Sequence, residues 1–339
     1  MKKYFILGLL IVTMLCGCGK VNKDNIIKDF ENNVNSSSSY KLNGTMQLLG
    51  DEDTFNYTLE VIYLKDNFYK VTLINQSNNH EQIILRNNDG VYVITPSLNK
   101  SFKFDSVWPS NSSQSYLLGS LVNDIKNDQN TEFSEDDNYY IIKSTVNYPN
   151  NSDLKYQKIY FNKNKVLQKV EVYDNNDNVK IKVEFTNVDM KNNAKEEDFN
   201  LSNFIDEESN TSCTGDTCDK TTSSIENIIY PLYVPSNTYL KGSDTVNNET
   251  TQRNILTFAG DKNFALVEES SKPLEEFEVI PVYGDPLLLN DTVAALGTNS
   301  INWTSNGMDY YIVSNDLTSE ELVSVASSLG TNTAVSASK

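Results

Sequence analysis

The chain is poor in the residues that most often carry chemistry. It has a single histidine, His80, set in the polar run Asn75–Glu81. One histidine cannot build a histidine-based metal site, and a lone histidine in a polar loop reads as solvated surface rather than a general base. Cysteine is scarce as well, with four in the chain: Cys16, Cys18, Cys213 and Cys218. Positive charge is short, since 28 Lys and Arg face 46 Asp and Glu, for a net charge of −18. That balance argues against unspecific binding to nucleic acid, which needs a surplus of cations along the phosphates. Its ordinary role is solubility. Downstream of the first residues, no apolar run approaches the roughly 20 residues a membrane-spanning helix needs.

Catalytic signatures are missing too. There is no Gly-x-Ser-x-Gly, no His-Glu-x-x-His and no phosphate-binding glycine loop. Ser97-Leu98-Asn99-Lys100 matches Ser-x-x-Lys, but it follows Pro96 between two expected strands, and the Ser-Asp-Asn and Lys-Thr-Gly partners are absent. Asp174–Asn178 has the look of a calcium loop without its glycine or distal glutamate, so a turn is expected there. Carboxylate pairs such as Asp136-Asp137 and Glu196-Glu197 carry little information in so acidic a chain. The residues therefore indicate no catalytic set, no metal site and no cofactor.

What is present is a chain of 339 residues with 38% hydrophobic and 22% charged residues, enough for two domains with cores of their own. Lys2 and Lys3 precede an apolar stretch, Tyr4–Met14, too short to span a bilayer comfortably. Leu15-Cys16-Gly17-Cys18 then resembles the lipobox of bacterial lipoproteins, although Cys16 stands where Ala, Ser or Thr is more usual. Residues 1–17 are read as a signal peptide and Cys18 as the lipidated residue. That places the protein outside the cytoplasm, anchored to the outer face of the cytoplasmic membrane. An ordinary secretory signal with a free thiol at Cys18 is the alternative. In that compartment Cys213 and Cys218 can close a small disulfide loop, with free thiols as the alternative. A metal site lacks a second pair of ligands, and the spacing is not the redox Cys-x-x-Cys.

Hydrophobic periodicity sets out the rest. Ile26, Ile27, Phe30 and Val34 have helical spacing. Strands are expected at Tyr40–Leu49, Phe55–Leu64, Phe68–Ile74, Gln82–Arg86, Val91–Thr95 and Lys100–Phe104, with turns at Asp66-Asn67 and Asp89-Gly90. After Trp108–Pro109, hydroxyls at Ser110–Ser113 are candidate caps for a helix whose apolar face is Leu117, Leu118, Leu121, Val122 and Ile125. A second meander runs to Val188. Sheet packing accounts for most of the aromatics, such as Phe55, Tyr57 and Tyr140, with a minority left to line an open apolar cavity. Residues 18–206 form the expected main domain and 207–225 an acidic linker. A smaller α+β domain at 226–331 follows, then a tail at 332–339. The smaller domain has strands at Leu256–Ala259, Phe264–Glu268, Glu278–Val282 and Tyr310–Val313. Its helix, Leu317–Leu329, is capped by Thr318 and Glu321.

Lys41–Asp198 resembles the LolA/RseB family of lipoprotein-carrier folds. The resemblance is strongest to the YdcC-like lipoproteins of endospore-forming bacteria, which are grouped with the outer-membrane lipoprotein-sorting proteins. It is carried by Ile84–Val93, Thr95–Phe102 and Trp108 to Leu121. It implies an α+β fold: a strongly bent antiparallel half-barrel with helices in its mouth and an apolar cavity that in carriers takes acyl chains. Residues 303–310 and 317–329 are similar to the ending of RseB-like regulators. Leu98, Phe102, Phe104, Trp108, Leu117, Leu118 and Leu121 are the candidate lining of the mouth. The resemblance implies a lipid or acyl ligand, or a protein partner such as a peptidoglycan-processing enzyme, in sporulation or envelope assembly. GerS, a spore lipoprotein of this fold, binds and regulates a cortex-modifying amidase. A role as an RseB-like sensor of a membrane partner is the alternative.

Overall fold

The computed structural model describes residues 22–50, 53–204, 228–247 and 252–329. The expected signal peptide, the four cysteines, the expected acidic linker and the expected tail at 332–339 lie outside the described residues.

Helix α1, Lys23–Ser36, begins where the Asn22 side chain accepts from the Asn25 N–H, which satisfies one of the free donors of the first turn. Its buried residues, Ile26, Phe30 and Val34, recur every four positions on one face. Six strands follow as a meander: β1 (Ser39–Leu49), β2 (Thr54–Leu64), β3 (Phe68–Asn75), β4 (Glu81–Asn87), β5 (Gly90–Thr95) and β6 (Lys100–Phe104). The β2–β3 turn puts Asp66 and Asn67 at φ 71° and 73°, the left-handed pair that a tight hairpin requires. Helix α2 spans Leu118–Asn127 and buries Leu118, Leu121, Val122 and Ile125. The second meander is β7 (Glu132–Glu135), β8 (Tyr139–Thr145), β9 (Leu154–Asn162), β10 (Leu167–Asp174) and β11 (Val179–Asp189).

β11 returns to pair antiparallel with β1, which joins the two meanders into one open, bent sheet. Both helices lie on its inner face, where Phe30 of α1 meets Phe161 of β9 edge-on at 5.1 Å between ring centroids. Strands β3 to β5 are buried on both faces. Val71, Ile84 and Val93 belong to the inner core, whereas Phe68, Ile83, Leu85 and Ile94 form a second cluster on the outer face. The segment that covers this outer face is the exit of the main domain. Two short 3-10 turns, Glu196–Phe199 and Leu201–Phe204, lie there with Phe199 fully buried. The sequence pattern marks Asn192–Asp198, which leads into these turns, only as polar and acidic.

The remaining strands are β12 (Thr238–Asn247), β13 (Gln252–Gly260), β14 (Phe264–Ser270), β15 (Glu278–Val282), β16 (Gly284–Leu289), β17 (Thr292–Gly297), β18 (Ser300–Ser305) and β19 (Met308–Val313), followed by helix α3 (Ser319–Ser327). Seven of them form a second sheet in the order β12-β13-β14-β19-β18-β17-β16. The exception is Glu278–Val282, expected among the strands of the smaller domain. It leaves that sheet and runs parallel to β6 as the edge strand of the large one, Ile280 opposite Phe102. The large sheet thus has twelve strands, from β15 to β7. α3 is held at its start as expected: Thr318 accepts from the Glu321 N–H, and the Glu321 carboxylate accepts from the Thr318 N–H. Among the described residues no helix is long and apolar enough to cross a membrane.

Candidate functional site

The seven residues expected to line a mouth are mostly packed against one another. Phe102, Phe104, Trp108, Leu117, Leu118 and Leu121 are all at most 8% exposed and share the inner core. Trp108 stands edge-on to Tyr69, 5.9 Å between centroids, and the Arg86 guanidinium donates to the carbonyls of Val107 and Trp108. Leu98 sits apart on the turn before β6, half-buried, where its carbonyl accepts from the Leu274 N–H. The helices fill the space that the bend of the sheet creates.

An opening lies beyond that core, where the second sheet meets the first. It is a cleft of about 840 Å³. Its floor is apolar, with Leu48 and Phe55 from the ends of β1 and β2 and Ile181 from β11. One wall is made by the loops around Ser112–Tyr116 and Tyr148–Leu154. The opposite wall is Asp285–Asn290, from β16 into its turn, with Val323, Ser324 and Ser327 of α3 above it. Carboxylates sit at the rim: Asp153, Asp285 and Glu320, with Lys180 as a cation.

The loop wall is braced from below by a buried polar group. Asp124 of α2 accepts from Ser113 and Gln157, each at 2.9 Å. Ser113 in turn exchanges bonds with the backbone of Asn147 at 2.8 Å. Burial pushes the Asp124 carboxyl up to about 6, against the lowering effect of its two hydrogen bonds. The hydroxyls expected to cap α2 are therefore used otherwise. The N-cap position is Leu117, without a side-chain cap bond, and Ser113 joins the two loops instead.

The strand wall is fixed to the large sheet by side chains of the first meander. Gln82, 4% exposed, accepts from the Val293 N–H at 2.6 Å and from Thr292 at 3.0 Å, and donates to the Val293 carbonyl at 3.3 Å. The Tyr57 hydroxyl donates to the Asn290 carbonyl at 2.5 Å, and Asn75 donates to that of Asp291 at 3.3 Å. His80 is not the free surface residue that its loop suggests. It is half-buried near Asp291, and burial holds its imidazole below the ordinary value although Asp291 pulls the other way. Lys100 of the Ser-x-x-Lys run pairs with Asp309 at 3.1 Å, across the same junction. Asp174–Asn178 is the expected turn, closed by Asn176 and Asn178 N–H bonds to the Asp174 carboxylate.

None of the seven expected residues lines the cleft, although their neighbour Tyr116 does. Phe55, expected with most of the aromatics to be ordinary sheet packing, does reach it. The signal that could have found the wall is Leu287–Leu289, Asn290-Asp291 and Thr292–Leu296: two apolar runs around a two-residue turn, the pattern of a hairpin.

The family model for YdcC-like sporulation proteins matches residues 1–199. The chain belongs to that family. The sporulation protein YdcC of Bacillus subtilis (strain 168) is 34% identical over 336 residues, which cover 97% of both chains. The solved structures it is similar to are more distant. The Pseudomonas aeruginosa MucA/MucB complex aligns at 11% identity and a TM-score of 0.32, over 90% of this chain and 98% of the other. The complex of the Clostridioides difficile CwlD amidase with the GerS lipoprotein gives 17% and 0.30 over 50% and 95%. A putative outer-membrane lipoprotein-sorting domain from Vibrio parahaemolyticus gives 12% and 0.33 over 53% and 96%.

Proposed function

We propose that this protein works by binding: it is an extracytoplasmic lipoprotein, held to the membrane through Cys18, that takes an apolar ligand or a partner segment into the cleft between its two sheets. The observation that supports this is the cleft itself, with an apolar floor, a polar rim and walls braced by buried hydrogen bonds. Burial of apolar surface at about 25 cal/mol per Å² would supply the affinity. The rim carboxylates are already engaged, Glu320 by the Ser152 N–H and Asp285 by Ser106, so the reading assigns them to orientation and not to acid–base catalysis. The likeness to a sporulation protein over nearly the whole chain supports a role in spore formation.

Native mass spectrometry of protein purified from its own host tests the binding claim. Bound mass should be present in the parent and lost when Leu288 or Val323 is replaced by Asp; equal bound mass in all three contradicts it. The anchor is tested separately. Cys18→Ala should move the protein from the membrane to the soluble fraction, and unchanged membrane retention rules the anchor out.

A further inference from the structure

β16 is the last strand of the second sheet: it pairs with β17 on one side and with no strand on the other among the described residues. Which backbone groups face the unpaired side follows from two observations. Leu289 and Thr292 close a two-residue turn, the position where antiparallel partners exchange both hydrogen bonds. The N–H groups of Leu289, Leu287 and Asp285 therefore point at β17, and those between them point away. Pro286 has no N–H and pairs opposite Ala295, as the same alternation requires. Leu288 then presents both its N–H and its carbonyl to the open side, and Pro286 its carbonyl.

This open side borders the cleft, since Asp285–Leu289 line it and no residue of β17 does. Among the described residues, none of the other sheet edges, β7, β12 and β15, contributes a residue to the cleft.

We propose that the occupant of the cleft is an extended polypeptide segment that adds to β16 as a further strand. This rests on the reading of the cleft as the binding site and narrows its ligand to one chemical class. In an antiparallel addition, one residue of the segment exchanges both bonds with Leu288. The residue two places on donates its N–H to the Pro286 carbonyl. Side chains of the added strand alternate between two surfaces. One is the floor at Leu48, Phe55 and Ile181, on the side to which Leu288 packs; the other is Val323 of α3, on the side of Leu287. An acyl chain in the same place would strip water from the Leu288 N–H and carbonyl and return no partner. Charge supplies the flanks. Three rim carboxylates, Asp153, Asp285 and Glu320, stand against Lys180 on a chain of net charge −18, so the segment carries Lys or Arg beside its apolar residues.

The test selects binders to the full-length protein from a displayed library of random decapeptides, with a fluorescent fatty acid as the competing probe. Enriched peptides should alternate apolar residues and carry net positive charge. They should slow hydrogen exchange at the Leu288 amide at least tenfold. Leu288→Pro, which removes the outward N–H but no bond to β17, should weaken them at least tenfold. The exchange measurement on the parent stands whether or not that variant folds. Peptides that leave the Leu288 amide unchanged, or bind a folded Leu288→Pro variant equally well, overturn the proposal. If the fatty acid binds, loses its affinity in Val323→Asp, and no peptide is enriched, the cleft reading survives and the strand inference falls. If neither probe binds, both fall.

Discussion

Two buried side chains show how much a single residue decides here. Phe199 is completely enclosed between the outer face of the large sheet and the exit segment, tilted against Phe68 at 5.5 Å, and its carbonyl accepts from Asn87 at 3.0 Å. Phe199→Ala should cost about 3–5 kcal/mol, as large-to-small changes in a packed site do, and release the exit segment to protease. A loss under about 1 kcal/mol in chemical denaturation would show that the outer cluster is not a core. Glu268 is 0% exposed and accepts from the Ile229 N–H at 3.1 Å. Burial pushes its carboxyl from an ordinary 4.5 up to about 7, partly offset by Ile229 and Asn254. Because the folded value is the higher one, the group's contribution is complete below about 4.5 and is lost as pH rises through about 7. Asp124, raised from 3.8 to about 6, acts in the same direction. Glu268→Gln should therefore flatten the fall in Tm between about pH 5 and about pH 8. A parallel shift of both curves would contradict this.

At the scale of elements, legibility follows burial. Strands that bury one face announce themselves through alternation, as β1 does with Tyr40, Leu42 and Met46 inward, and their register follows from period two. Helices α1 and α2 are readable for the equivalent reason at a period of about 3.6. β12 is not: nine of its ten residues are exposed, so no pattern marks it, and it exists because β13 offers it an edge to pair with. β15 is legible as a strand, but its partner is not, since Ile280 and Val282 look the same whether they pack on one sheet or the other. The exit segment is hidden for a third reason. Its one decisive residue, Phe199, stands among Glu196, Glu197 and Asp198, and the acidic average masks it. The candidate site suffers most, because a cleft made by two loops, one hairpin and one helix has no signature in any single window of sequence.

For the whole molecule, the junction between the two sheets is what makes a site. β15 continues the large sheet, Gln82 closes on the β16–β17 hairpin, and Lys100 reaches Asp309. Gln82→Leu would leave the Val293 N–H and carbonyl buried without their partner. That should cost about 1–3 kcal/mol and weaken whatever the cleft holds, because its strand wall would no longer be fixed to its floor. Unchanged stability together with unchanged binding would mean that the junction does not shape the cleft. Whether the protein acts through this cleft is decided by a photo-crosslinking residue placed at Val323 in the native host. A second variant carries it at Val166, which is 42% exposed and does not line the cleft. A discrete adduct should form from Val323 and be absent from Val166. No adduct at Val323, or the same adducts from both positions, would contradict action through the cleft.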